Sequence, residues 1–324
     1  MIYSRIVGTG SALPDNLVTN KDLEKIMDTD DQWIRERTGI RERRIVVKGE
    51  TTTTLAEEAC RKAMQAAEVD PAEIDLLMVG TTTPDLVFPS SACLIQKKLG
   101  LPDCGAMDVN AACSGFIYAL SVADKFVRCG DAKKVLVCGA ETLSSIVNWK
   151  KRETAVLFGD GAGAVVLEAS PEPGILSTHI HANGHHADLL TANVGVSRGF
   201  DGIEENEGKP ELQMKGNEVF KVAVRTLGRI VDETLEANNM DKSELDWLIP
   251  HQANLRIIAA TARKLEMSID HVVITVDRHG NTSSASVPLA LDEAVRDGRI
   301  KRGDNLLLEA FGGGFTWGSA LIKY

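Results

Sequence analysis

Apolar positions along the chain alternate between two periods. Phe116, Leu120, Ala123 and Val127 recur at helical spacing, so residues 116–128 are predicted to form a helix with one buried face. Residues 55–67, 219–237 and 287–296 have the same helix-like pattern. Short apolar runs at 73–78, 135–138, 165–167, 244–249 and 305–308 predict buried strands. Strands alternating with helices imply an α/β fold with mostly parallel sheets and helices on their faces.

The pattern also occurs twice. Glu73-Ile74-Asp75-Leu76-Leu77-Met78 resembles Glu244-Leu245-Asp246-Trp247-Leu248-Ile249, at an offset of 171 residues. Met107-Asp108-Val109 aligns with Val276-Asp277-Arg278 at an offset of 169, and a helix, a turn and a strand follow each copy. The period is too long for a solenoid. It predicts two pseudo-duplicated halves, 1–170 and 171–324, packed about a pseudo-twofold axis where equivalent loops meet. Those loops place Cys113 five residues after Asp108, and Asn281 four residues after Asp277.

A net charge of −10 argues against general nucleic-acid binding. No apolar run approaches the roughly 20 residues of a membrane span, and the N-terminus lacks a secretory pattern, so a soluble cytoplasmic protein is expected. The six cysteines form no CxxC pair, which disfavours structural zinc.

Cys113 lies among small residues just before a helix, where backbone N–H groups stabilise an anion and lower a thiol's pKa. A core cysteine is the alternative. His251 follows a strand, at the end where open α/β folds gather ligands; it is either catalytic or a satisfied core histidine. Asn281, in His279-Gly280-Asn281-Thr282-Ser283, is either functional or a helix cap. His179, His181, His185 and His186 complete no familiar zinc pattern and are expected to be solvent-facing loop residues. Phe158-Gly159-Asp160-Gly161-Ala162-Gly163 precedes a strand, the wrong context for a dinucleotide fingerprint. Phe311-Gly312-Gly313-Gly314-Phe315 follows a strand and can present N–H donors to an oxyanion.

These segments resemble the β-ketoacyl-[acyl-carrier-protein] synthase III family, the initiating condensing enzymes of bacterial type II fatty acid synthesis. The matches are Ala111-Ala112-Cys113-Ser114-Gly115, His251-Gln252-Ala253-Asn254-Leu255-Arg256, His279-Gly280-Asn281-Thr282-Ser283 and Phe311 to Gly318. Gly8-Thr9-Gly10-Ser11, Trp33 to Ile40 and Phe158 to Gly163 match as well, so the similarity spans essentially the whole chain.

The resemblance implies a thiolase-like αβαβα fold and a Cys113–His251–Asn281 set. Cys113 would accept an acyl group from acyl-CoA, with the Cys113 and Gly313 N–H groups as oxyanion hole. His251 and Asn281 would support decarboxylative condensation with malonyl-acyl carrier protein. It further implies Trp33, Arg37, Arg152 and Thr29 around CoA, and Asn217 and Asn254 along the pantetheine tunnel. Phe88 would reach into the partner's acyl pocket in a homodimer. Gln252, Ala253, Asn254, Leu255 and Arg256 would meet the carrier protein, beside Arg263 and Lys264. No metal or redox cofactor is implied. The basic run before Arg152 departs from the family pattern and leaves Trp149 and Trp33 as alternative stacking residues. A thioesterase or other acyltransferase on the same fold, or a non-catalytic carrier-binding subunit, are the rival readings.

Overall fold

The computed structural model describes residues 2–193, 195–198 and 210–324. Strand β1 (Tyr3–Ala12) leads into the β2 (Leu17–Thr19) and β3 (Glu42–Arg44) ribbon, which flanks helices α1 (Asn20–Leu23) and α2 (Asp31–Thr38). Then come α3 (Thr52–Ala67), β4 (Leu76–Gly80), α4 (Ser91–Leu99), β5 (Gly105–Val109), α5 (Gly115–Cys129), β6 (Lys134–Thr142), α6 (Arg152–Ala155) and β7 (Asp160–Ser170). These strands form a five-stranded sheet in the order β1-β7-β6-β4-β5.

The rest of the chain supplies β8 (Ile175–Ala182), β9 (Leu190–Ala192), β10 (Leu212–Met214), α7 (Gly216–Ala237), β11 (Trp247–Pro250) and α8 (Leu255–Lys264). It ends with α9 (Val276–His279), α10 (Ser286–Arg296), β12 (Asn305–Gly312) and β13 (Thr316–Lys323). The second sheet runs β11-β12-β13-β8. It repeats β4-β6-β7-β1, with the first pair parallel and the next two antiparallel in both sheets. Where β5 lies beside β4, β11 has, among the described residues, a single parallel bridge from Leu248 to Val272.

The repeat has a local cause. Asp70 and Asp241 each cap a 3₁₀ turn, in a capping box completed by Glu73 and Glu244. Asp75 then accepts the Lys133 and Lys134 N–H groups, as Asp246 accepts that of Asn305. Strands β4 and β11 begin 171 residues apart, as do β6 and β12 and also α5 and α10. These elements share one offset, and the 169-residue alignment is corrected: at that offset β5 corresponds to the start of α9, so Val276-Asp277-Arg278 lies in a helix and not in a strand. At the constant offset Asn281 corresponds to Asn110, and Cys113 to Ser284. The 3₁₀ turns Ala112–Ser114 and Ser283–Ala285 are equivalent, each opening on a residue with positive φ, 47° at Ala112 and 51° at Ser283.

Helices α5 and α10 lie between the sheets. Phe116, Leu120, Ala123 and Val127 of α5 and Val287, Leu291 and Ala294 of α10 pack with Met78, Val137 and Val165 from one side and Ile249, Leu308 and Ile322 from the other. Each large side chain buried there contributes about 1.5–3 kcal/mol. Helices α3 and α4 cover the outer face of the first sheet, and α7 and α8 that of the second. The result is five layers, with both 3₁₀ turns at the N-terminal ends of the central helices.

Candidate active site

Cys113 is buried in the turn that starts α5. Its loop is tied to the β12–β13 hairpin: Ser114 Oγ donates to Thr316 O at 3.1 Å, and Thr316 Oγ1 donates to Ala111 O at 2.7 Å. Gly312 lies against it so closely that a Cβ there would stand 2.6 Å from the Cys113 nitrogen, so only glycine fits. Gly313 follows and lines the same cavity.

That cavity has a volume of about 910 Å³ and also reaches His251 and Asn281. His251 directly follows β11, and its N–H donates to Glu309 O at 2.8 Å. Its Nδ1 lies 2.6 Å from Ser286 Oγ, at the start of α10. Asn281 Oδ1 accepts the Ser283 N–H at 2.8 Å, which leaves the Nδ2 donors directed elsewhere. Asn281 does not cap α10, which begins at Ser286 with no side-chain cap.

Burial dominates the electrostatics. It pushes His251 down to about 3, so the imidazole is neutral at physiological pH. It pushes the Cys113 thiol up to about 12; the Ser283 hydroxyl opposes this and the Glu141 carboxylate adds to it. The expectation of a lowered thiol pKa is thereby corrected for the resting site, because desolvation of the buried thiol outweighs the opposing hydrogen bonds. The uncapped N-terminus of α5 works in the opposite sense and favours an anion.

Glu141, at the end of β6, went unnoticed in the sequence. It is fully buried and accepts from Thr82 N, Thr83 N, Thr83 Oγ1 (2.6 Å), Ser283 Oγ (3.0 Å) and Ser284 Oγ (3.2 Å). Only its burial by both sheets' loops distinguishes it from any surface glutamate.

The outer cavity holds Trp33, Arg37, Asn217, Ala253, Asn254 and Arg256. The guanidinium groups of Arg37 and Arg152 lie 4.9 and 4.8 Å from the Trp33 ring centroid. Trp149 packs with apolar clusters and is outside the cavity lining, whereas Trp33 is part of it. Thr29 lies outside the lining as well. Asn254 caps α8 through Arg256 N and donates to Arg37 O at 2.9 Å, so both ends of its amide are engaged. The inner cavity is apolar, with Leu190, Leu212, Leu227 and Phe311.

Two other expectations are corrected, for Gln252 and for the paired histidines. Gln252 is fully buried and spends its amide on Pro250 O, Val273 O and the Thr275 and Val276 N–H groups, so it shapes the loop and cannot meet a partner protein. Lys264, beside Arg263 at the end of α8, pairs with Asp232 at 2.7 Å. His179 and His181 lie on strand β8, not in a loop, and both face Glu233, at 3.3 and 2.9 Å. Among the described residues no group of three or more side chains is arranged to hold a metal. An open groove of about 1130 Å³ between α7 and α8 contains none of the Cys113, His251 and Asn281 set.

Two repeated sheets around paired central helices, with a thiol at the start of one of them, define a thiolase-like acyltransferase. A family model described as 3-oxoacyl-[acyl-carrier-protein] synthase III matches residues 107–184, and the model of its C-terminal region matches 235–324. The chain is 67% identical over 325 residues to a β-ketoacyl-[acyl-carrier-protein] synthase III of Xylella fastidiosa, covering 100% of this chain and 99% of the relative. A Xanthomonas euvesicatoria relative of the same description is 68% identical over 323 residues, with the same coverage. The crystal structure of 3-oxoacyl-[acyl-carrier-protein] synthase III from Aquifex aeolicus superposes with a TM-score of 0.93 at 48% identity, covering 99% of this chain and 100% of that one. The chain belongs to the β-ketoacyl-[acyl-carrier-protein] synthase III family, a family of condensing acyltransferases.

Proposed function

We propose that the protein condenses an acyl-CoA primer with malonyl-acyl carrier protein, giving β-ketoacyl-carrier protein, CoA and carbon dioxide, and so initiates fatty acid synthesis. Cys113 attacks the acyl-CoA thioester, and the CoA thiolate leaves with the thiol's proton. The N–H groups of Cys113 and Gly313 hold the oxyanion of each tetrahedral intermediate. Malonyl-carrier protein then enters the emptied tunnel. As carbon dioxide departs, its electron pair becomes an enolate on the malonyl thioester, held by hydrogen bonds from His251 and Asn281. The enolate carbon attacks the acyl-cysteine, and the Cys113 thiolate is expelled and takes a proton from solvent.

One observation carries this reading. A histidine held neutral by burial and an asparagine with engaged Oδ1 line the same cavity as Cys113, so two uncharged polar groups face the thiol, and with its proton on Nε2 the histidine joins the asparagine as a donor. Thioester exchange and decarboxylation involve no net redox change, so the proposed chemistry uses no redox cofactor. Trp33, Arg37 and Arg152 would hold the CoA nucleotide, with Thr29 nearby; Asn217 and Asn254 would line the pantetheine path. Ala253, Asn254, Leu255 and Arg256 would form the carrier-protein rim.

We take 1–170 and 171–324 as the two halves, and a homodimer as the working form. Phe88 is 83% exposed beside exposed Leu86 and Val87, and β5 is a sheet edge. Burial of that loop in a partner would remove the apolar exposure. No helix among the described residues is long and apolar enough to cross a membrane; a cytoplasmic location is part of the proposal. The test is to supply acyl-CoA and carboxyl-labelled malonyl-carrier protein. Labelled carbon dioxide should appear in step with β-ketoacyl-carrier protein. Release of free fatty acid without carbon dioxide would establish a hydrolase instead.

A further inference from the structure

We infer that Ser286 is a positioning residue that locks His251 in the tautomer with its proton on Nε2, so that the imidazole presents a donor, not an acceptor, to the tunnel. This deepens the proposed function and rests on its assignment of His251 to the condensation step.

The argument is a count of protons. Ser286 Oγ carries one hydrogen. It lies 2.6 Å from His251 Nδ1, and it accepts the backbone N–H of Gln252 at 3.3 Å. The Gln252 amide can only donate, so the hydroxyl is the acceptor there. Among the described residues Nδ1 is the one acceptor within hydrogen-bond reach of the hydroxyl, and Ser286 is 1% exposed. The hydroxyl proton therefore goes to Nδ1, which then has no proton of its own. The remaining proton of a neutral imidazole sits on Nε2. Nε2 makes no hydrogen bond to the described residues, while His251 lines the cavity.

The internal repeat supports the pairing independently. At the constant offset of 171, His251 corresponds to Gly80 and Ser286 to Gly115. Those two glycines pack backbone to backbone: a Cβ on Gly80 would stand 2.5 Å from the Gly115 carbonyl carbon. The same juxtaposition of a strand end and a helix start thus carries no side chains in one copy and a bonded His–Ser pair in the other.

The experiment uses full-length protein labelled with ¹⁵N-histidine. The His251 signals are identified by their loss in His251→Asn. Native protein should show a protonated Nε2 and an unprotonated Nδ1. Ser286→Ala should lose this pure tautomer and slow condensation by about 10–100-fold, the cost of removing a partner that orients a functional histidine. Acyl transfer from acyl-CoA to Cys113, read by mass spectrometry, should persist and serves as the control for folding. Ser286→Thr should restore both tautomer and rate. A protonated Nδ1 in native protein overturns the inference. So does a Ser286→Ala protein with unchanged tautomer, or one that Ser286→Thr does not rescue. Loss of the tautomer with condensation unaffected overturns the donor role of His251, and with it the proposed function, while leaving the lock itself standing.

Discussion

Ser283 donates its hydroxyl to Glu141 at 3.0 Å and thereby ties the loop after α9 to the end of β6. Its own N–H holds Asn281, and its hydroxyl also approaches the Cys113 thiol. One small residue with left-handed backbone thus couples a carboxylate of the first sheet to the asparagine and the thiol.

Glu141 is a charge beside a buried sulfur, and like charge disfavours the thiolate. Glu141→Gln should lower the pH midpoint at which iodoacetamide alkylates Cys113. It should also slow condensation by loosening Ser283. A midpoint that stays put or rises would show that the carboxylate does not act on the thiol.

Cys113→Ser should abolish the acyl-enzyme and leave the fold intact. Intact-protein mass spectrometry after incubation with acyl-CoA checks this. A normal adduct on the variant would move the nucleophile elsewhere.

His251→Ala and Asn281→Ala should each retain acylation and lose about 10²–10³ in condensation, the usual cost of one oxyanion donor. Because burial holds His251 near 3, the native condensation rate should show no step from this residue between pH 5 and 8. Its stability contribution has the matching sign. The folded pKa lies below the unfolded value of about 6.5, so stability is full above that value and is lost as pH falls toward 3. Urea titrations of His251→Asn should show a shallower acid loss in that window.

The helices and strands were legible because their apolar faces survive in periodicity: residues 116–128 became α5, and 287–296 became most of α10. The duplication was legible too, through the capping aspartates at its start. Its register through the active loops was not, because the turns Ala112–Ser114 and Ser283–Ala285 share backbone shape and little sequence. Burial misled most. Gln252 looked like a rim residue, and the Cys113 thiol looked acidified, until the packing around each was known. Ser283, Ser286 and Glu141 carry little local signal, since the Ser286–His251 and Ser283–Glu141 contacts join residues 35 and 142 positions apart.

Arg256 is exposed on α8, and its guanidinium sits 5.2 Å from the Phe220 ring at the cavity mouth. The protein is acidic, and carrier proteins of this pathway are acidic too, so a local cation should act on encounter rate. Arg256→Glu should reduce kcat/KM for malonyl-carrier protein and spare acyl-CoA. High salt should shrink the difference, given a Debye length of about 8 Å at physiological ionic strength. Equal losses for both substrates would reject a carrier-specific role.

Glu309 is fully buried on β12 with neither carboxyl oxygen in a well-formed hydrogen bond. Burial raises it to about 8, with Thr261 opposing weakly. Its folded pKa lies above the ordinary value of 4.5, so its contribution is full below 4.5 and is lost as pH rises through about 8. Glu309→Gln should match the native protein near pH 4.5 and exceed its thermal stability at pH 8–9. Parallel melting curves at both pH values decide it.

Strand β7 ends at Ser170 and β8 begins at Ile175, so a short connector divides the chain between its two sheets. A polypeptide stopping in that connector would own a thiol with no donors opposite it. The remainder would own both donors and nothing to acylate. Cys113 stands where the second copy has Ser284, and His251 where the first has Gly80, so a change in the orientation of one sheet against the other would separate the thiol from the histidine. Substitutions on the facing sides of α5 and α10, far from any substrate, should accordingly tell on turnover before they tell on folding.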